Sequence, residues 1–221
     1  MSRSNAKQPD TLYTRLFAKL YNPVMEKLEA RLLMDMRRAL LTQAHGRVLE
    51  VGAGTGVNFP LYDASAQVLA IEPAQAMAKQ AAALLQELKA PHIQLLEAGV
   101  GDAEVSAQLG EDMLDTIVST LVLCTIPDLE QALQHFRKWL RPGGQLLVLE
   151  HIHDDRQPQR WIQSAVTPVW KHLAEGCYLN RRTDELLKDY GFAVETEDYH
   201  YTRWVPFYSA VLRMEEKEKN G

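Results

Sequence analysis

Two hydrophobic periodicities divide this chain. From Asp10 to about Leu41 the apolar residues Leu12, Leu16, Phe17, Leu20, Val24, Met25, Leu28, Leu32, Met36 and Leu40 recur every three or four positions, the spacing that lines one face of a helix. Pro23 withholds a backbone donor in the middle of the run, so the pattern predicts two helices meeting near Asn22 and Pro23. Such an amphipathic stretch suits a membrane surface or packing on the body of the fold, and packing is the simpler reading.

Past this region the pattern shifts to short apolar runs: Arg47 to Val51, Gln67 to Ile71, Ile93 to Glu97, Asp115 to Thr120 and Gln145 to Glu150. They are continuous rather than alternating, which predicts strands buried on both faces of a parallel sheet. Pro73 to Lys89, rich in alanine, and Asp128 to Leu140 predict helices between them, the second stopped by Arg141-Pro142-Gly143-Gly144. Gln157 to Ala174 and Thr183 to Tyr190 read as helices, whereas Phe192 to Tyr199 and Val205 to Arg213 read as a closing strand hairpin. The chain thus divides into a helical segment over 1–43, an α/β domain over 44–214 with a helical insertion near 157–190, and a charge-rich tail over 215–221 that is expected to be disordered.

Hydrophobic residues at 46% and charged residues at 24% of 221 residues describe an ordinary globular protein with a sizeable core. A net charge of -5 offers no basic field for phosphodiesters, so nucleic acid is set aside as a partner and a small-molecule partner is expected. The polar start Met1 to Asp10 has no apolar h-region, and no stretch reaches spanning length; the expectation is a cytoplasmic protein without a stable membrane anchor. In a reducing compartment Cys124 and Cys177 read as small buried hydrophobes rather than a disulfide.

The run Val48-Leu49-Glu50-Val51-Gly52-Ala53-Gly54-Thr55-Gly56 carries the chemistry. Its glycines let the backbone bend sharply after a strand and let a ligand approach without meeting a Cβ. A dinucleotide fingerprint needs glycine at 57, where this chain has Val57; the spacing here is G-x-G-x-G, with Glu50 two residues ahead of Gly52. Glu72 ends the second strand 20 residues after Gly52, the spacing at which an acid accepts hydrogen bonds from a ribose diol.

Together these features resemble the class I S-adenosylmethionine-dependent methyltransferases. The resemblance implies a Rossmann-like, seven-stranded, mostly parallel sheet with the last strand antiparallel, helices on both faces, and the N-terminal helices as a flap over the cofactor. It implies S-adenosyl-L-methionine as cofactor, with Gly52, Ala53, Gly54, Gly56 and Asn58 in the turn that cradles it. Glu50 would face its methionine end and Glu72 its ribose. Pro73 and Met77, in Pro73-Ala74-Gln75-Ala76-Met77, would pack on adenine. In Gly101-Asp102-Ala103-Glu104 the Asp102 carboxylate would accept from the exocyclic amine and the Ala103 N–H would donate to the ring, or Asp102 would cap a turn. Thr120 or Leu121 would border the methionine moiety.

The Asn/Asp-Pro-Pro-aromatic tetrad of amino-directed nucleic-acid methyltransferases is absent from Ser119-Thr120-Leu121-Val122-Leu123-Cys124. A narrower likeness lies in Tyr21-Asn22-x-x-Met25, Gly56-x-Asn58-Phe59, Thr120 to Cys124, Glu150-His151 and Gly176-Cys177-x-Leu179-x-Arg181. These resemble the microsomal alkyl thiol methyltransferases of the methyltransferase-like family and their bacterial relatives, apart from their apolar N-terminal anchor. The implied reaction is methylation of a small, largely apolar acceptor, most simply a thiol. O- or N-methylation of a quinone-like or lipid-like molecule, and a non-catalytic sensor or scaffold that binds the cofactor, stand as alternatives.

Methyl transfer is an in-line displacement in which positioning and desolvation supply most of the rate. His151, at the carboxyl end of the fifth strand, is the candidate for activating the acceptor, against a structural histidine bonding a loop carbonyl. Glu150-His151-Ile152-His153-Asp154-Asp155 also admits a metal reading, but no second ligand cluster is visible in the sequence and no metal is expected. Trp161, Trp170, Tyr178 and Trp204 are candidates for the acceptor wall.

Overall fold

The computed structural model describes residues 33–111, 113–174, 176–202 and 205–214. The predicted helical run before Leu33, the 21–25 motif, Trp204 and the tail over 215–221 lie outside the described residues. In chain order the elements are α1 (Met34–Leu41), β1 (Arg47–Val51), β2 (Gln67–Ile71), α2 (Gln75–Leu88), β3 (Ile93–Leu96), α3 (Ala103–Leu109), β4 (Leu114–Thr120), α4 (Leu129–Trp139), β5 (Leu140–His151), α5 (Gln159–Leu173), α6 (Thr183–Asp189), β6 (Phe192–Tyr201) and β7 (Pro206–Met214).

The strands form one seven-stranded sheet in the order β3-β2-β1-β4-β5-β7-β6. Every pairing from β3 to β5 is parallel, and β7 runs antiparallel between β5 and β6. This is the seven-stranded arrangement expected from the sequence. The central strands are covered on both faces, and β5 shows how. Leu146 and Val148 pack with Leu49, Ile117, Phe136 and Tyr208 on one side, while Leu147 and Leu149 pack with Val48, Val118, Leu40 and Val211 on the other. Successive side chains of a strand point to opposite faces, so a doubly covered strand has no polar face to show.

Helix α4 packs on the first of these layers. Leu129, Ala132, Leu133 and Phe136 are buried at helical spacing, and the Asp128 carboxylate accepts from the Gln131 N–H at 2.9 Å to cap the first turn. Helix α1 covers the opposite layer with Leu40 and Leu41. Helix α4 stops at Trp139, as Arg141-Pro142-Gly143-Gly144 predicted, but β5 starts at Leu140, so these four residues form a bulge inside a longer strand. Leu140 already pairs with Leu114, and the ladder resumes at Gln145 opposite Thr116. The four residues are pushed out of the ladder, where Arg141 bonds Asp115 at 2.7 Å.

The chain runs outward from β1 through β2 to β3, then returns to lay β4 on the other side of β1. That reversal opens a crevice beyond the carboxyl ends of β1 and β4, the place where an open α/β sheet binds its ligand. The glycine turn after β1 and the loop after β4 both lie there.

Candidate active site

Geometry makes two of the turn glycines obligatory. Gly52 has φ +66°, and a Cβ on it would stand 2.3 Å from the Val122 side chain; Gly56 has φ +89°, and a Cβ there would stand 2.6 Å from the Phe59 ring. The turn therefore packs against the loop after β4 on one side and against its own continuation on the other. The N–H of Gly54 donates to Glu72 Oε2 at 2.8 Å, and the Ala74 N–H donates to Glu72 Oε1 at 2.8 Å. Burial pushes the Glu72 carboxyl up, and these two N–H groups pull it partly back. A carboxylate offers about four acceptor positions, so each oxygen retains one for a ligand diol.

Glu50 is 1% exposed and sits behind the turn in a buried network. Asn58 Nδ2 donates to Glu50 Oε1 at 2.8 Å and to Thr120 Oγ1 at 3.0 Å, while Arg37 Nη1 reaches Asn58 Oδ1 at 2.9 Å and Thr120 Oγ1 at 2.5 Å. Burial raises the Glu50 carboxyl to about 7, against the opposing pull of Asn58, the Tyr62 hydroxyl and Arg37. Arg37 belongs to the helix that sequence reading used only for its apolar face. A buried arginine is rarely placed without a partner, which is the signal that reading passed over.

These elements border one cavity of about 640 Å³. Gly52, Ala53, Gly54 and Asn58 line it from the turn, Glu72, Pro73 and Met77 from the end of β2, and Thr120 and Leu121 from the end of β4. Leu121 has φ +59°, and its N–H donates to the Leu149 carbonyl at 2.7 Å, which fixes the chain where it leaves the sheet. Near α3 the wall is made of Ala98, Gly99 and Val100. Asp102 Oδ2 accepts from the Gly99 N–H at 2.8 Å and so shapes that wall from behind, while Ala103 is exposed at the start of α3. Glu50 and Gly56 do not line the cavity: Glu50 accepts from Asn58, which also bonds Thr120, and Gly56 shapes the turn behind the wall.

The remainder of the cavity is built from the second half of the chain. His151 ends β5 at 8% exposure, and its Nε2 stands 3.0 Å from Cys177 Sγ. Its Nδ1 is buried without a partner. Cys124, on the loop after β4, joins them: the two sulfurs and the imidazole nitrogen lie within 4.8 Å of one another. Hydrogen bonding to Cys124, and then to His151, pulls the Cys177 thiol well below the ordinary range, and the Cys124 thiol rises in response. Burial disfavours a charged His151, yet the Cys177 sulfur outweighs it and raises the imidazole. The cysteines are buried, as expected, and both are free; what sequence reading missed is that they meet His151.

A buried carboxylate and a half-buried guanidinium assemble this cluster. Glu150 Oε1 accepts from the Val122 and Leu123 N–H groups at 2.7 and 2.8 Å, holding the loop that carries Cys124. Arg181 Nη1 donates to the carbonyls of Leu123 and Ile126, and its guanidinium stacks on the Tyr178 ring at 4.8 Å. The Tyr178 N–H donates to the Cys124 carbonyl at 3.0 Å. The Gly-Cys-x-Leu-x-Arg segment is thus a clasp between the two cysteine-bearing stretches.

The H-x-H run does not converge. His153 bonds Arg160 O and Ser164 Oγ at the exposed edge of α5, Asp154 pairs with Arg156 at 2.7 Å, and Asp155 pairs with Arg182 at 2.8 Å. Of the aromatic candidates, Trp170 lines the cavity, Tyr178 lies under Arg181, and Trp161 is 70% exposed on the outside of α5.

A doubly covered sheet of this strand order, with a G-x-G-x-G turn after its first strand and a buried acid after its second, defines a methyltransferase that draws its methyl group from S-adenosylmethionine. Residues 25–197 match the methyltransferase domain, and the chain belongs to that family. It is 35% identical over 156 residues to thiol S-methyltransferase TMT1B of Homo sapiens, covering 69% of this chain and 63% of that protein. It is 31% identical over 173 residues to the Rattus norvegicus protein of the same name, covering 78% and 70%. Among solved structures, a SAM-dependent methyltransferase from Thermotoga maritima superposes with a TM-score of 0.67 at 18% identity, over 92% of this chain and 99% of that one. Among the described residues no helix is long and apolar enough to cross a membrane.

Proposed function

We propose that this enzyme methylates the sulfur of a small, largely apolar thiol. The observation that carries the reading is the continuity of one cavity from the glycine turn and Glu72 to an apolar end bearing His151, Trp170, Cys177, Leu179 and Phe207. That end has sulfur and imidazole where an amine-directed enzyme would need carboxylate or amide acceptors. The two TMT1B relatives are named for the same reaction type.

When bound, S-adenosylmethionine supplies an electrophilic methyl group on a sulfonium. The turn residues Gly52, Ala53 and Gly54 admit it against the backbone, and Glu72 accepts from its ribose diol. Thr120 and Leu121 border the methionine end, with Glu50 acting through Asn58 and Thr120. Pro73 and Met77 flank adenine beside the wall that Asp102 supports through the Gly99 N–H, with the exposed Ala103 next to it at the start of α3. A thiol with a free pKa near ~8.5 is only a few per cent ionised at neutral pH, so a group that takes its proton raises the rate. His151 is our candidate for that role, and Cys177 shares it because the two side chains share a hydrogen bond. The apolar wall excludes water from the developing thioether. A net charge of -5 and two free cysteines fit a small-molecule acceptor and a reducing, cytoplasmic setting.

Incubation with S-adenosylmethionine and an alkyl thiol should yield the methyl thioether and an equal amount of S-adenosylhomocysteine by mass spectrometry. Cofactor binding without any methylated product from thiols would reject the proposal and favour a binding-only role.

A further inference from the structure

Cys124, His151 and Cys177 come from three separate parts of the fold: the loop after β4, the end of β5 and the segment after α5. All three are buried, all line the cavity, and their donor atoms lie within 4.8 Å of one another. Two thiols and an imidazole are a donor set that zinc and its neighbours select over harder ions. Tetrahedral zinc, with bonds of about 2.0 Å to nitrogen and about 2.3 Å to sulfur, holds its ligands about 3.4–3.8 Å apart. The widest separation here needs to close by about 1 Å and the 3.0 Å His151–Cys177 contact to open by about 0.5 Å, both within the reach of small side-chain rotations.

The surroundings favour a built site. Glu150 and Arg181 fix the loop that carries Cys124 from both sides, and the Tyr178 N–H ties that loop to the residue after Cys177. Such outer groups hold metal ligands in place. Among the described residues no fourth His, Cys, Asp or Glu joins the cluster, and three protein ligands with an open position is the pattern of a catalytic rather than a structural zinc.

We propose that Cys124, His151 and Cys177 hold one zinc-type divalent cation and leave its fourth position open to the cavity, where the acceptor thiol binds it as a thiolate. The acceptor position rests on the thiol reading above; the three-ligand site does not. As the cation binds, any thiol protons still on Cys124 and Cys177 pass to solvent, and the acceptor thiol loses its own proton to solvent when it takes the fourth position. A sulfur lone pair then forms the new S–CH₃ bond as the CH₃–S⁺ bond of the donor breaks, its electron pair remaining on the donor sulfur. No electron is gained or lost, and the neutral thioether, a weaker ligand, leaves the cation. In the metal-free chain His151 and Cys177 take the proton; in the loaded chain both are ligands and the cation ionises the acceptor.

The full chain, stripped with a chelator and titrated with Co²⁺ alone, tests this. One Co²⁺ per chain is expected, with a sulfur-to-cobalt charge-transfer band and the intense visible bands of a four-coordinate ion, both abolished by Zn²⁺. Cys124→Ser and Cys177→Ser should each weaken binding more than about 100-fold. His153→Ala, which alters an exposed histidine two positions away, should leave the spectrum unchanged. Calorimetry with S-adenosylhomocysteine shows that each variant is folded. Benzyl thiol added to the Co²⁺-loaded chain should intensify the charge-transfer band, and phenol should not. A wild-type chain that binds S-adenosylhomocysteine but gives no charge-transfer band overturns the site, as do bands that persist in Cys177→Ser. Bands indifferent to benzyl thiol overturn the acceptor position. If instead only phenols were methylated, the thiol reading would fail while the Co²⁺ spectrum remained, so the two failures are separable.

Discussion

His151 Nε2 and Cys177 Sγ stand 3.0 Å apart at the apolar end of the cavity, although 26 positions separate them in the chain. On the function proposed above, the pair acts on the acceptor and not on the methyl donor. His151→Ala and Cys177→Ala should each lower kcat/KM for an alkyl thiol by about 10²–10³-fold and leave the affinity for S-adenosylhomocysteine within about twofold. An aryl thiol, largely ionised at neutral pH, should lose less. Equal losses on both thiols, read from steady-state kinetics, would assign the two residues to packing.

Glu72 receives the N–H groups of Gly54 and Ala74 and has acceptor capacity left for the cofactor. Hydrogen bonds to a charged partner contribute about 1.5–3 kcal/mol each, so losing even one of the two to the ribose diol in Glu72→Ala should weaken S-adenosylmethionine binding by at least about 10- to 100-fold. Glu72→Gln, which keeps a single carbonyl acceptor, should fall between wild type and Ala in a calorimetric titration. An unchanged Kd in Glu72→Ala would remove this residue from the cofactor site.

The Glu50 carboxyl is raised from its ordinary 4.5 to about 7, chiefly by burial. The folded chain therefore keeps a proton that the unfolded chain releases, and this contribution to stability is present below about 4.5 and lost as pH rises through about 7. A cationic cofactor favours the ionised form. S-adenosylmethionine affinity should then climb about tenfold per pH unit toward pH 7 and level off above it, with one proton released at pH 6. Calorimetry in buffers of different ionisation enthalpy measures that proton, and Glu50→Gln should abolish both effects. A flat affinity profile across pH 6–8 in the wild type would contradict the assignment.

Arg181 joins the carbonyls of Leu123 and Ile126 to the segment that carries Cys177. Arg181→Ala should cost about 2 kcal/mol, about 4–8 °C in Tm, and Arg181→Lys should recover only part of it because one ammonium lacks the guanidinium fork. The expected kinetic signature is a raised KM for the acceptor with cofactor Kd unchanged. Loss of cofactor binding at a temperature where the variant is folded would show that the clasp organises the whole cavity.

Short-range features of this protein were legible in the sequence. Strands such as β1 and β4 are buried along nearly their whole length because both faces of the sheet are covered, and the glycine turn with its two acids is a matter of spacing within some twenty residues. The helix stops at Trp139, next to Arg141-Pro142-Gly143-Gly144 as the stop signal predicted; the pairing of Leu140 with Leu114, which starts the strand early and makes the four residues a bulge, is a tertiary fact. Arg37 went unnoticed because periodicity weighs only apolar positions, yet it organises Asn58 and Thr120. The meeting of Cys124 with His151 and Cys177 depends on Arg181 bridging two loops, which no local spacing encodes; Gly-Cys-x-Leu-x-Arg beside Glu150-His151 was the available trace. Asp102 turned inward to Gly99, the turn-capping alternative that its sequence context already allowed.

The central claim is the identity of the acceptor atom. Three acceptors of one shape, benzyl thiol, benzyl alcohol and benzylamine, mixed at equal concentration with methyl-labelled S-adenosylmethionine and limiting enzyme, put it to a single measurement. The account predicts that nearly all the label is recovered in benzyl methyl sulfide, matched mole for mole by S-adenosylhomocysteine. Label in the ether or the methylamine, with none in the sulfide, would contradict it.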